Sequence, residues 1–277
     1  ADLQQAVSET GLDKGRRFFT MEEFITGHEG FYDTLTVNGQ VVFEGICHYY
    51  PGVLEAMRTR WISPQIVTTN RVDAPGYDEV KRLGREVIRQ LGLSTTATHM
   101  EWFFGPKGLS FSEIGARPPG CTLWDIYCEA NEFDLYTEWA RGVCWSANEQ
   151  RPTRRYAAGL VSVRPNQDGV VRGYSGVEEI QRRYGENLFK LHLPPPGSRT
   201  NPVGAGYLAH AYAFVKDIVE AGVVFGFDDE EREAELVEPP VVDNGVHIVE
   251  AGPEGALVPV SAALIGELPD APVYRPA

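Results

Sequence analysis

His-Met-Glu-Trp-Phe-Phe-Gly-Pro-Lys-Gly-Leu-Ser-Phe-Ser-Glu-Ile-Gly-Ala-Arg-Pro-Pro-Gly, residues 99–120, is the stretch whose reading decides the fold. Two acids, Glu101 and Glu113, stand inside apolar and aromatic runs that a Gly-Pro-Lys-Gly turn divides. Side chains alternate across a strand, so the pairing parity decides whether the two acids share a face. If Phe104 pairs with Ser110 across a five-residue loop, Glu101 lies directly opposite Glu113. Like charges so placed destabilise a hairpin unless something between them reverses the sign. A divalent cation does so, since Mg²⁺ takes one or two carboxylates together with phosphate oxygens. Arg117, four residues on, would then reach anionic oxygens at the same place. The bland alternative is a two-faced hairpin with its acids in solvent, and a register shifted by one residue puts them on opposite faces.

Working upstream, Val80, Leu83, Val87, Ile88 and Leu91 repeat at helical spacing, with Asp78 as the expected cap and Gly92 as the stop. Before that, Phe31–Val37, the Asn38-Gly39 turn and Val41–Ile46 predict a β-hairpin. Phe18–Ile25 reads as a short strand and residues 2–10 as a short helix. Downstream, helices are expected over about 122–131 and 134–141, with Asp134 as N-cap. A change in composition near Gln150–Arg155 predicts a boundary. Beyond it, Ala157–Val163 and Val170–Tyr174 form a strand–turn–strand unit. Ser175-Gly176-Val177-Glu178 makes a capping box for a helix to about Arg183. Strands at Leu188–Leu193 and Ala205–Val215 and a helix at about 216–221 complete a small unit. The end of the chain is acidic and proline-punctuated, with strand-like pieces at Val246–Val249 and Ala256–Val260. The expected fold class is α+β, with an antiparallel lobe over 1–148, a smaller α+β domain over 149–224 and an acidic segment over 225–277.

The 277 residues include 43% hydrophobic and 23% charged residues, as in ordinary globular proteins. The net charge of −14 is unevenly placed: from Asp228 onward twelve acids face only Arg232 and Arg275, a net −10, so the preceding body carries −4. No basic face exists for a phosphate backbone, which argues against nucleic acid. No apolar run suits a membrane span. Cys47, Cys121, Cys128 and Cys144 show no close metal-ligand pair and no scaffold density, so a reduced, cytoplasmic setting is expected. The chain opens on Ala1 already in helical register, which leads to the expectation of a preceding part.

The order of these motifs resembles a known family. An acid in one strand followed by Glu-Ile-Gly-Ala-Arg-Pro-Pro-Gly in the next is similar to the C-terminal lobe of the ATP-grasp superfamily. Met21-Glu22-Glu23-Phe24-Ile25-Thr26-Gly27-His28-Glu29 resembles that family's hinge strand, again followed by a hairpin. The resemblance covers about residues 1–145, and its Ala-Arg-Pro-Pro-Gly end is most similar to carboxylate–amine ligases, including amino-acid ligases. It implies an ADP-forming reaction in which ATP phosphorylates a carboxylate and an amine displaces the phosphate. ATP and Mg²⁺ (Mn²⁺ as an alternative) are the implied cofactors, and a small-molecule carboxylate and amine the implied substrates. A homodimer is one oligomeric state open to it.

By this resemblance Glu101 and Glu113 hold the metal, and Arg117 steadies the transferred phosphate. Glu23, Phe24 and Ile25, with Glu22 if the match shifts by one, read the adenine. Glu29 accepts from the ribose, and Arg58 and Arg60 lie near the acyl phosphate or substrate carboxylate. Bland readings stand beside these: Glu29 as a strand-end acid, Arg58-Thr59-Arg60 as a solvated loop, His28 and His99 as structural histidines, Trp61 and Trp124 as core. Gly115 stands where the family often has asparagine as a further metal ligand. The family's glycine-rich phosphate loop and its lysine fit nowhere in the chain, so the polypeptide alone is expected to be inactive. A carboxylase, a purine-pathway synthetase and a non-catalytic binding module are the competing readings.

Overall fold

The computed structural model describes residues 23–58, 64–163, 169–199, 211–216, 246–251 and 257–262. The expected helices at 2–10 and 216–221 and most of the expected strand at 18–25 lie outside these residues. Eleven described strands are β1 (His28–Val37), β2 (Gln40–Tyr50), β3 (Gln65–Thr68), β4 (Thr96–Gly105), β5 (Gly108–Gly115), β6 (Ala158–Val163), β7 (Val170–Ser175), β8 (Leu188–His192), β9 (Ala211–Lys216), β10 (Val246–Ala251) and β11 (Leu257–Ala262). The described helices are α1 (Val53–Arg58), α2 (Asp78–Gln90), α3 (Leu123–Asn131), α4 (Leu135–Trp145) and α5 (Val177–Tyr184). Eight strands form one sheet in the order β5-β4-β1-β2-β3-β6-β9-β8, and β11-β10-β7 form a second. Every recorded pairing is antiparallel, and the fold class is α+β as expected.

The β1–β2 hairpin turns at Asn38-Gly39, where both residues have positive φ (51° and 75°), the geometry that keeps strand twist continuous. The two faces of the sheet are covered differently. Phe31, Leu35, Phe43 and Cys47 pack against Trp124, Tyr127 and Leu135 of α3 and α4. On the other face Tyr32, Ile46, Met100 and Trp102 pack with Tyr77 and with Val80 of α2. Each such fully buried side chain stabilises the fold by roughly 1.5–3 kcal/mol.

Four local expectations change. Asp78 does not cap α2; it is the first helical residue, and its carboxylate pairs with Lys81 at 3.2 Å. The preceding 3₁₀ turn Pro75–Tyr77 already supplies the entry. The Ser175 capping box does not form, because Ser175 remains in β7 and Gly176, with φ 79°, opens α5. β6 and β7 do not pair with each other: β6 joins β3 and β9, while β7 joins β10. The eight-stranded sheet therefore runs on across residue 150. The acidic C-terminal segment supplies β10 and β11 to the second sheet. Asp134 does cap α4, accepting from the Thr137 backbone N–H at 3.0 Å.

Candidate functional site

The β4–β5 register is decided by a bulge. The turn is tight, Gly105 facing Gly108, so the pairing starts one residue away from the five-residue loop expected from sequence. Phe104 pairs with Leu109, Phe103 with Ser110 and Trp102 with Phe111. Had that register continued, Glu101 and Glu113 would lie on opposite faces. Between Met100 and Trp102 it shifts: Met100 faces Ile114 and His99 faces Gly115. β5 thus spends one more residue than β4 on this interval, and Ser112 and Glu113 together oppose Glu101. Since Ile114 shares the face of Met100, Glu113 returns to the face of Glu101.

Glu101 pairs across β1 with Phe31 and is half-buried. The Tyr49 hydroxyl donates to its Oε1 at 3.2 Å, and His99 Nε2 lies 3.7 Å from the same oxygen. His99 Nδ1 in turn bonds Asp33 Oδ1 at 2.6 Å, and the Tyr127 hydroxyl donates to Asp33 Oδ2 at 2.6 Å. Asp33 is 1% exposed and His99 6%. Burial alone would lower the His99 pKa, but the Asp33 charge and hydrogen bond, with Glu101 adding, raise it to about 9. The Glu101 carboxyl is held below the usual range, chiefly by His99, against the opposing effect of burial and with help from Tyr49 and the Arg117 charge.

Glu29 occupies the same face, one pair along: it is opposite Phe103, and Phe31 opposite Glu101. Its Oε2 accepts from the Val53 backbone N–H at 2.6 Å, at the start of α1. Burial and the nearby Glu101 charge raise its pKa, while the Val53 bond works the other way. Arg117 is exposed, and its Nη1 donates to the Pro118 carbonyl at 3.0 Å. Its stem lies over Gly115, where an added Cβ would come within 3.2 Å of Arg117 Cγ. Glycine at 115 therefore leaves space that the Arg117 stem uses.

The other expected residues are more loosely tied. Glu23, Phe24 and Ile25 lie in non-strand chain, with Phe24 72% exposed and Glu23 paired with Lys107 of the β4–β5 turn. This segment runs against the end of that hairpin: a Cβ at Gly105 would meet the Thr26 carbonyl at 2.1 Å. Arg58 ends α1 and is exposed. Glu22, Arg60 and Trp61 lie outside the described residues. Trp124 is core, edge-on to Trp139 at 5.2 Å. Sequence reading missed Asp33, Tyr127 and Tyr49. The signal for Asp33 was present, since an acid between Phe31 and Leu35 on a core-facing parity needs a buried partner.

Two carboxylates on one face, with a third close by and one arginine beside them, suit a hard cation that also takes phosphate oxygens. Among the described residues no group of three or more His, Cys, Asp or Glu is placed to hold a metal ion. No described helix is long and apolar enough to cross a membrane.

No family model and no curated protein matches the chain. Solved structures do. The L-amino acid ligase from Bacillus licheniformis aligns with a TM-score of 0.53 and 14% identity, over 70% of this chain and 50% of its own. The phosphoribosylglycinamide synthetase from Anaerococcus prevotii aligns at 0.53 and 13%, over 78% and 55%. The N5-carboxyaminoimidazole ribonucleotide synthetase from Thermotoga maritima aligns at 0.51 and 16%, over 78% and 60%. The chain thus spans between half and three-fifths of the length of these structures. Its described residues share the fold of part of each of these structures.

Proposed function

We propose that this chain supplies one wall of the active site of an ATP-dependent, ADP-forming ligase. In that reaction a carboxylate becomes an acyl phosphate and an amine displaces the phosphate. The observation that carries the reading is the β5 bulge, which returns Glu113 to the face of Glu101 beside Arg117. An ordinary register would separate the acids, and without a cation their juxtaposition only costs stability.

On this reading Glu101 and Glu113 hold Mg²⁺, or Mn²⁺, which neutralises phosphate charge during transfer. Arg117 binds the anionic oxygens of the moving phosphoryl group, and its exposure leaves the guanidinium fork available for two parallel bonds. Glu22, Glu23, Phe24 and Ile25 line the adenine edge next to the β4–β5 turn. Glu29, anchored by Val53, presents an acid to the ribose side, and Arg58 and Arg60 receive the substrate carboxylate. The nucleotide-binding face belongs to residues 1–148, with 149–224 and the acidic 225–277 as companion units. The substrates are a small carboxylate and an amine in the cytoplasm. The three similar structures differ in the products that their names state, so the fold leaves the acceptor open.

The test is calorimetry with Mg²⁺·ADP. Saturable binding that vanishes with EDTA supports the reading; metal-independent binding or none refutes it. Glu113→Gln should weaken Mg²⁺·ADP at least tenfold with an unchanged Tm, because its side chain is exposed. Unaltered affinity would remove Glu113 from the metal site.

A further inference from the structure

We propose that Asp33 and His99 are positioning residues: with Tyr127 they form a buried file that fixes the Glu101 carboxylate on the face it shares with Glu113. The metal-binding part of this inference rests on the function proposed above. The file starts at α3, where the Tyr127 ring lies over Gly45; a Cβ there would be 2.6 Å from it. Its hydroxyl takes one oxygen of Asp33, and His99 Nδ1 takes the other. Asp33 and His99 are direct cross-strand partners on β1 and β4, which places their side chains side by side on one face. With Nδ1 committed, Nε2 is left to face Glu101 Oε1, which Tyr49 holds from another side. Among the described residues no hydrogen bond reaches Glu101 Oε2. One oxygen is tethered and the other is left for a cation.

A stability role alone explains this poorly. A buried ion pair is weak support for a fold, and an apolar pair of similar volume serves as well or better. The two histidines on the opposite face, His28 and His48, bond each other and the Tyr77 hydroxyl, with no acid bonded to either among the described residues. An acid beneath a histidine that faces a candidate metal carboxylate is instead the pattern of outer-shell positioning, whose removal costs about 10–100-fold in metal affinity.

The test measures Mn²⁺ binding by electron paramagnetic resonance, with ADP present, for the chain and for His99→Gln, Asp33→Asn, the double variant and Tyr127→Phe. Each of the first two should weaken Mn²⁺ by about 10–100-fold. The double variant should be no worse than the weaker-binding single. Tyr127→Phe keeps the ring and should weaken Mn²⁺ less, which covers the case in which the other variants do not fold. Unchanged Mn²⁺ affinity in His99→Gln, or in Tyr127→Phe if that alone folds, overturns the proposal, as do independent, multiplying effects.

If the parent binds no Mn²⁺·ADP, the functional reading falls, and the file is judged on the metal-free chain by ¹⁵N–¹H spectra of the histidine rings. The Nδ1 proton of His99 should disappear in Asp33→Asn and its Nε2 resonance should move in Glu101→Gln. A ring that ignores Glu101→Gln overturns the file, whereas both responses sustain it as a metal-independent tether.

Discussion

The large sheet carries histidines on both faces, and the two clusters shift their histidine pKa values in opposite directions. On the α2 face His28 Nε2 meets His48 Nδ1 at 2.7 Å, and His48 Nε2 meets the Tyr77 hydroxyl at 2.8 Å. Burial lowers His28 to about 4, and burial together with the His28 charge lowers His48 to about 3. On the α3 face His99, no more exposed than His48, is raised to about 9 because Asp33 is 2.6 Å away. The same residue type at the same depth therefore differs only in its partner. Where no acid is present, desolvation wins and the ring is neutral; where one is, attraction in a low dielectric outweighs desolvation. The charged cluster is the one beside Glu101, Glu29 and Arg117, and the neutral one is a packing device.

The most severe way to break this comparison is to remove the acid. Asp33→Ala leaves the buried His99 with Glu101 as its remaining counter-charge and strips the Tyr127 hydroxyl of its carboxylate acceptor. Urea denaturation at pH 7 should show a loss of about 3–5 kcal/mol, the cost of breaking a buried pair. His99 should then titrate well below about 9, because Glu101 alone is left to oppose burial. A loss under 1 kcal/mol would mean that the pair is solvated, and the distinction between the faces would collapse.

Much of the α3-face architecture was legible in the residues. The Asn38-Gly39 turn, the alternation of β1 and the motif order 99–120 gave the lobe and located both acids. The register was not legible, because a bulge is a compromise between a tight turn and the packing of Ile114 and Met100, and neither is a local property of the stretch. Two errors offset each other: the turn is shorter than expected, and the bulge restores the parity that the longer loop would have given. His99 looked like a lone histidine because its acid is 66 residues away in sequence and adjacent only across β1. Local cap signals at Asp78 and Ser175 lost to the preceding 3₁₀ turn and to strand pairing.

A middle-sized effect sharpens the contrast through pH. His28 and His48 have folded pKa values below the unfolded 6.5, so the unfolded chain binds more protons between about 6.5 and 4. Stability from their neutral packing is complete above 6.5 and is lost as pH falls toward 4, at about 1.4 kcal/mol per pH unit for each histidine. His48→Gln should flatten this acid limb by about half relative to the parent. An unchanged slope between pH 6.5 and 4.5 would show that the cluster admits water and protons freely.

The smallest expected effect is at the far end of the neutral cluster. Tyr77→Phe removes the hydroxyl that meets His48 Nε2 but keeps the ring, which is buried against His48 with centroids 5.8 Å apart. Both partners are uncharged, so the loss should be that of a neutral hydrogen bond, about 0.5–1.5 kcal/mol. The His99 side of the sheet should be untouched, because the sheet backbone separates the clusters and they share no side chain. Mn²⁺·ADP affinity therefore serves as the control. A drop in that affinity with Tyr77→Phe would mean that the two faces are coupled through β1 and β2, and that neutrality on one side helps set charge on the other.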